Sequence, residues 1–266
     1  MTGASFLRIL KGAASAAVVA LSLTACSLPG SGPGEREAWL EANDPFEPLN
    51  RAIFGINEAA DFLVIGPAAY AYNAIVPDPV RESVRSFTAN LLSPITIVNQ
   101  LLQGDFDGAI HATGRFLTNT VLGAGGIADV ATAAGIPDQK EDFGQTLAVW
   151  GFNEGPYVVL PFLGPSSMRD ATGYAVDTLA DPVRMWAANT DHEGAYMAKG
   201  IAGGIDRRSR VLKEVEDLRR NSVDYYATLR SLYRQQRKAD IEEKAAVAQP
   251  DFPAFEKTPE APAKKK

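Results

Sequence analysis

The chain has 266 residues, 46% of them hydrophobic and 22% charged, with one cysteine, two histidines and a formal net charge of −6. That acidity disfavours the phosphate backbone of nucleic acid as a partner. One cysteine forbids an internal disulfide, and the length suits one large domain with a well-buried core.

Arg8 and Lys11 precede an apolar run from Gly12 to Leu23, about a dozen residues where a membrane-crossing helix needs about 20. The run closes on Leu23-Thr24-Ala25-Cys26, small residues directly before a cysteine. Residues 1–25 therefore read as a cleaved signal peptide, and the last four look like the lipobox of bacterial lipoproteins, with the Cys26 sulfur as the lipidation site. One acyl chain binds a membrane marginally, whereas several on one residue hold a protein there. Ser27, in place of aspartate, implies by likeness to sorted lipoproteins onward transfer to the outer membrane. Loss of Arg8 and Lys11 with the leader takes the formal charge from −6 to −8. Residues 26–43, rich in Gly, Pro and Ser, read as a lipidated flexible tether.

Folding is expected from residue 44 to residue 244. Asp44-Pro45, Asp78-Pro79, Ser93-Pro94 and Asp181-Pro182 each set a capping side chain before a proline, and each predicts a helix start. Val80, Val84, Phe87 and Leu91 recur at helical steps, opposite Arg81, Glu82 and Arg85. A short helix through Ile95, Ile97, Val98, Leu101 and Leu102 is expected to stop at Gly104, and Phe106, Ile110, Leu117 and Val121 make the next stripe. The plain expectation for every stripe is core packing. Tyr157 to Leu160 resembles a strand, but Pro156 and Pro161 bracket it and nothing obvious pairs with it, which predicts an extended buried connector. Long helices are expected over Ile205 to Arg220 and Tyr225 to Lys244, with pairs Arg210 to Glu214 and Glu216 to Arg220. Residues 245–266, a Pro/Ala/Lys tail, have too little apolar surface to offset ordering entropy.

The search for chemistry yields decoys. Gly123-Ala124-Gly125-Gly126-Ile127-Ala128 fits a dinucleotide fingerprint, but that motif needs a preceding strand and Arg115 to Leu122 continues a helical pattern. The glycines serve better as a helix end and loop. Neither His111 nor His192 lies near a recognisable nucleophile, and Gly164-Pro165-Ser166-Ser167-Met168 fails the G-x-S-x-G pattern, leaving Ser166 as a helix cap. Metal binding would need about three or four protein ligands and finds no diagnostic spacing. No catalytic residue, metal or cofactor is expected; amphipathic helices with a lipid tether point to handling lipid.

Asn43-Asp44-Pro45-Phe46-Glu47-Pro48-Leu49-Asn50-Arg51, Leu101-Leu102-Gln103-Gly104-Asp105, Arg115-Phe116-Leu117-Thr118-Asn119-Thr120, Glu141-Asp142-Phe143-Gly144-Gln145-Thr146, Gly155-Pro156-Tyr157, Leu160-Pro161 and Arg169-Asp170 occur in order. Together they resemble the MlaA/VacJ family of outer-membrane lipoproteins over Asn43 to Ile241. The resemblance implies an all-α single domain of amphipathic helices, ring-like and embedded in the inner leaflet of the outer membrane on its periplasmic side, around a central amphipathic channel. It implies a non-enzymatic role: phospholipids leave the outer leaflet and pass to the soluble periplasmic carrier MlaC, and a trimeric porin is a further partner. Head groups crossing hydrocarbon unaided meet a large desolvation cost, which a polar passage lowers.

By the same resemblance Gly123, Gly125 and Gly126 are a hinge loop beside the channel, with Asn119 and Asp129 as polar neighbours; simple helix capping is the alternative. A porin-associated scaffold, or a lipid hydrolase, are the competing functions. The family often has a basic residue where Gly66 precedes Pro67, which puts any contact by that charge in doubt.

Overall fold

The computed structural model describes residues 42–248. The predictions for Cys26, for most of the tether and for residues 249–266 lie outside these. Helix α1 (Glu47–Ala60) runs through a π-helical turn (Asp61–Ile65) into α2 (Gly66–Ile75). Then follow α3 (Asp78–Leu102), α4 (Phe106–Val121), the short α5 (Val130–Ala133) and α6 (Phe143–Val149). A hairpin of β1 (Tyr157–Leu160) and β2 (Gly164–Ser167) leads to α7 (Met168–Ala180), α8 (Pro182–Asn189), α9 (Glu193–Arg210), α10 (Leu212–Asn221) and α11 (Tyr225–Ala248). The fold is all-α apart from that hairpin. Its closest helix pairs are α3 with α4 and α6 with α7.

Helix punctuation is part capping, part override. Asp181 accepts from the Val183 N–H ahead of Pro182, as expected, and Asp142 with Gln145 closes a capping box on α6. Ser93-Pro94 does not start a helix: α3 continues through it. Pro94 removes one ladder hydrogen bond and crowds the carbonyl four residues back, and 25 residues of flanking helix absorb this. Asp44 does not cap α1, whose first residue is Glu47; it is buried instead. On α7 the cap is Ser167, accepting from the Asp170 N–H, one residue beyond the expected Ser166. The long C-terminal pattern breaks at Val211, and Arg210 pairs with Asp206 rather than Glu214, while Arg220 meets Glu216 at 3.2 Å.

The expected connector is a strand after all. Tyr157 pairs with Ser167 and Leu160 with Gly164 in antiparallel register. Its partner was hidden because Pro165 sits in β2, a position tolerated in a two-stranded sheet, which is all edge. Phe162 makes the turn with φ +62.

Gly66 also gains a reason. Its N–H closes the π turn onto the Asp61 carbonyl, and a Cβ there would stand 2.9 Å from that oxygen. A side chain at this position, basic or not, would force the turn to open.

The distribution of polarity overturns the expectation of core packing. Buried apolar residues are mostly alanines, with Tyr157, Val159, Leu212 and Tyr226, and they are outnumbered by buried polar ones among the described residues. Phe106, Ile110, Leu117 and Val121 are 54–73% exposed, while the buried face of α4 is Gly108, Ala109, Ala112 and Asn119. On α3 the buried residues are Asn90, Asn99 and Gln100, with Val80 and Phe87 exposed. The α4 stripe lies on one face that looks outward, whereas on α3 Val80 and Phe87 look outward and Val84 and Leu91 are half-buried. Phe62, Leu63 and Val64 in the π turn are at least 65% exposed. Moving each such side chain out of water is worth about 1.5–3 kcal/mol, so this surface is built for an apolar medium.

Candidate functional site: a polar interior and its loop

The residues turned inward by α3 meet α6 and α7. Asn99 Nδ2 donates to Asp177 Oδ1 at 3.0 Å, and Thr146 Oγ1 donates to Asn99 Oδ1 at 2.8 Å. Gln103 Nε2 reaches both Thr146 Oγ1 and Glu141 Oε2 at 3.1 Å. Burial pushes the Asp177 carboxyl above its ordinary value, and the Phe143 N–H and Asn99 only partly offset that. Beside this network Gln100 is fully enclosed, and neither of its amide atoms hydrogen-bonds another described residue. Leaving such groups unmet costs about 1–3 kcal/mol each, so this interior is polar at a cost that an apolar core would avoid.

The glycine loop packs on the middle of α3, at Asn90. The Gly125 N–H donates to the Thr120 carbonyl at 2.9 Å, that of Gly126 to Asn119 at 2.8 Å, and that of Ala128 to Gly123 at 3.0 Å. Ala124, Gly125 and Gly126 all have positive φ. Asn90 Nδ2 contacts Thr120 Oγ1 at 3.0 Å and the Gly125 carbonyl at 3.3 Å. A Cβ on Gly123 would meet the Ala128 carbonyl at 2.2 Å, so chain-to-chain proximity fixes glycine there.

Asn119 and Asp129, named from the sequence as polar neighbours, are in direct contact: Asn119 Nδ2 donates to Asp129 Oδ1 at 3.1 Å. Asn119 Oδ1 accepts from the Ala131 N–H at 2.8 Å, and Asp129 caps α5 by accepting from the Thr132 N–H at 3.0 Å. Arg115 Nη2 spans both Asp129 oxygens at 3.1 and 3.2 Å. Burial works to raise the Asp129 carboxyl, but hydrogen bonds from Thr132 and Asn119 and the Arg115 charge outweigh it and bring it down to about 2. The sequence missed Asn90, Asn99, Gln100 and Thr146 as inward groups. The one available signal was that Asn90, Asn99 and Gln100 are polar residues within α3, at positions that mark no single face.

The remaining signature residues assemble around α11. Asp44 accepts from Asn50 Nδ2 and Arg230 Nη1, each at 2.7 Å, and from the Tyr226 hydroxyl. Asn50 then bridges to β1 through the Tyr157 carbonyl and the Val159 N–H. Arg237 grips Asp142 through both Nη atoms, at 2.8 and 2.6 Å, and reaches Asp170 at 3.1 Å. Burial pushes Asp170 up, but the Arg237 charge with Tyr233 and Arg169 holds it below the usual carboxylate range. Four separate motifs thus converge on one helix as a scaffold.

The family model described as MlaA lipoprotein matches residues 42–240. The chain belongs to the MlaA lipoprotein family. It is 37% identical over 198 residues to the intermembrane phospholipid transport system lipoprotein MlaA of Escherichia coli (strain K12), covering 73% of this chain and 76% of that protein. An uncharacterised protein of Rickettsia felis is 36% identical over 203 residues, 76% of this chain and 80% of its own length. A solved chain from work on the structural basis for maintenance of bacterial outer membrane lipid asymmetry superposes with a TM-score of 0.64 at 35% identity. That match covers 74% of this chain and 98% of the other. MlaA membership and this likeness accord with the helical fold described above.

Proposed function

We propose that this chain is an outer-membrane lipoprotein that removes phospholipids from the outer leaflet and passes them to a soluble periplasmic carrier, without catalysing a reaction. The observation that carries the reading is the inverted polarity: apolar side chains face outward from α2, α3 and α4, while Asn90, Asn99, Gln100 and Asn119 are enclosed. A ring of such helices in one leaflet would keep acyl chains in apolar surroundings while a head group passes polar atoms. The name of the Escherichia coli relative, a transport lipoprotein, supports the same assignment.

In this reading Gly123, Gly125 and Gly126, with Asn119 and Asp129, border the passage. The Gly125 and Gly126 N–H groups tie the loop to the last turn of α4, and the Ala128 N–H closes it onto Gly123, so its movement starts with release of those bonds. Cys26 carries the lipid, the carrier is the family's MlaC, and a trimeric porin is the neighbour in the membrane. Deletion of the gene should enrich phospholipid in the outer leaflet, and complementation should reverse it; unchanged leaflet composition would overturn the proposal. Cys26→Ala should fail to reach the outer membrane. A porin scaffold through which no lipid passes is separated by photocrosslinking from position 125, which labels phospholipid only if the passage exists.

A further inference from the structure

Away from that interior, α2, α3 and α9 meet around Asp206, whose side chain is 5% exposed. Its Oδ2 lies 3.6 Å from Nε of Arg85 on α3 and 3.4 Å from Nε of Arg210, one turn further along α9. Both guanidiniums lean on the same oxygen through Nε. Their Nη forks have no partner among the described residues, and the two side chains are 39 and 41% exposed. Asp78 does not compensate them, because it is engaged by Arg81. Two positive charges thus face one buried negative charge, leaving a surplus of one. On the same spot the Tyr72 hydroxyl and Asp206 Oδ1 are buried and face each other.

Planar guanidinium forks match the oxygens of a phosphate group, and the ion-pair contacts to Asp206 keep the two side chains on one spot. We propose that Arg85 and Arg210 form a cradle for a phosphate monoanion, with Asp206 holding the two side chains in place. The surplus of one positive charge matches the single charge of a phosphodiester. Apolar surface adjoins the cradle: Ile75, one turn beyond Tyr72, is 78% exposed, and Val211, next to Arg210, is 39% exposed. A phospholipid offers both the phosphate and the chains for that surface; free phosphate offers only the first. Arg85, Arg210 and Asp206 share no hydrogen bond with the Asn99, Gln103 and Thr146 network, so the loss in the double variant reads the cradle whether or not the transfer reading holds.

The test titrates the full-length lipoprotein in detergent with dihexanoyl phosphatidylglycerol and, separately, with inorganic phosphate, followed by phosphorus NMR. The double variant R85Q/R210Q should weaken binding by at least about tenfold, and R85K/R210K should weaken it less, keeping charge without the fork. R207Q removes an exposed charge from the same helix and should leave binding within about twofold, since it lacks the anchored geometry. Preference for the lipid assigns the cradle to a head group, and equal affinity assigns it to free phosphate. Unchanged binding in the double variant, or an equal loss in R207Q, overturns the proposal. Should the double variant lose helix content, R210Q alone is read by the same criteria.

Discussion

Gly126 sits directly against Asn90: a Cβ on Gly126 would stand 2.5 Å from the Asn90 Cβ and 2.7 Å from its amide nitrogen. The loop can therefore lie on α3 only while position 126 has no side chain.

This contact separates two neighbouring glycines. Gly126 (φ +94) faces Asn90, whereas Gly125 (φ +77) has nothing within 4 Å of where its Cβ would be. Gly125→Ala should cost about 1 kcal/mol for backbone conformation alone, and Gly126→Ala about 2–4 kcal/mol with overpacking added. Denaturant midpoints in detergent would read the difference; equal costs would mean that Asn90 yields freely.

Asn119 tests the loop from its other side. Its amide serves the Ala131 N–H and Asp129 at once. Asn119→Ala strands a buried backbone donor and should cost about 1–3 kcal/mol. Hydrogen exchange at Ala131 and Thr132 should accelerate in that variant, with α11 unaffected.

How much of this was legible from sequence depends on what each signal encodes. The period of apolar residues located helices over Val80 to Leu91 and Phe106 to Val121, because 3.6-residue spacing follows from geometry alone. It could not say which medium the stripe meets, since a stripe facing lipid and one facing a core have the same period. Leu117 and Val121 were therefore assigned inward and lie outward. Ser93-Pro94 misled because the cap signal is local and long-helix continuity is not. The hairpin stayed hidden behind Pro165 and the positive φ of Phe162. Within the candidate site, Asn119 and Asp129 were named through the family resemblance, and the structure puts them in direct contact. Asn90 and Gln100 come to the interior through the packing of α3, which no spacing records.

Acid should release the loop over a defined range. The Asp129 carboxyl is at about 2, below its ordinary 3.8. A depressed acid stabilises the fold fully above its unfolded value and loses that contribution as pH falls through the folded one. Exchange protection of residues 129–132 should hold at pH 5 and decline from about pH 4 to about pH 2. Asp129→Asn should flatten that decline. A decline unchanged in the variant would assign it to another group.

The α11 scaffold is the most costly to break. Arg237 is 15% exposed and joins Asp142 to Asp170, itself 9% exposed. Arg237→Met leaves the Asp170 charge buried without its largest compensating partner and should cost about 3–5 kcal/mol. Replacing Arg237 and Asp170 together by apolar residues should recover part of that loss. Thermal unfolding of both variants would show whether it does.

The enclosed asparagines and glutamines also set how this fold responds to temperature. Heat capacity rises on unfolding because apolar groups meet water, and newly hydrated polar groups lower it. Here the apolar surface already faces outward and the enclosed groups are largely polar, so melting in a micelle exposes little new oil. Calorimetry should find a heat-capacity increment below the roughly 12–15 cal/mol/K per residue of ordinary globular proteins. Stability would then vary little across the temperatures at which the cell grows, and would answer instead to the thickness and fluidity of the lipid around it.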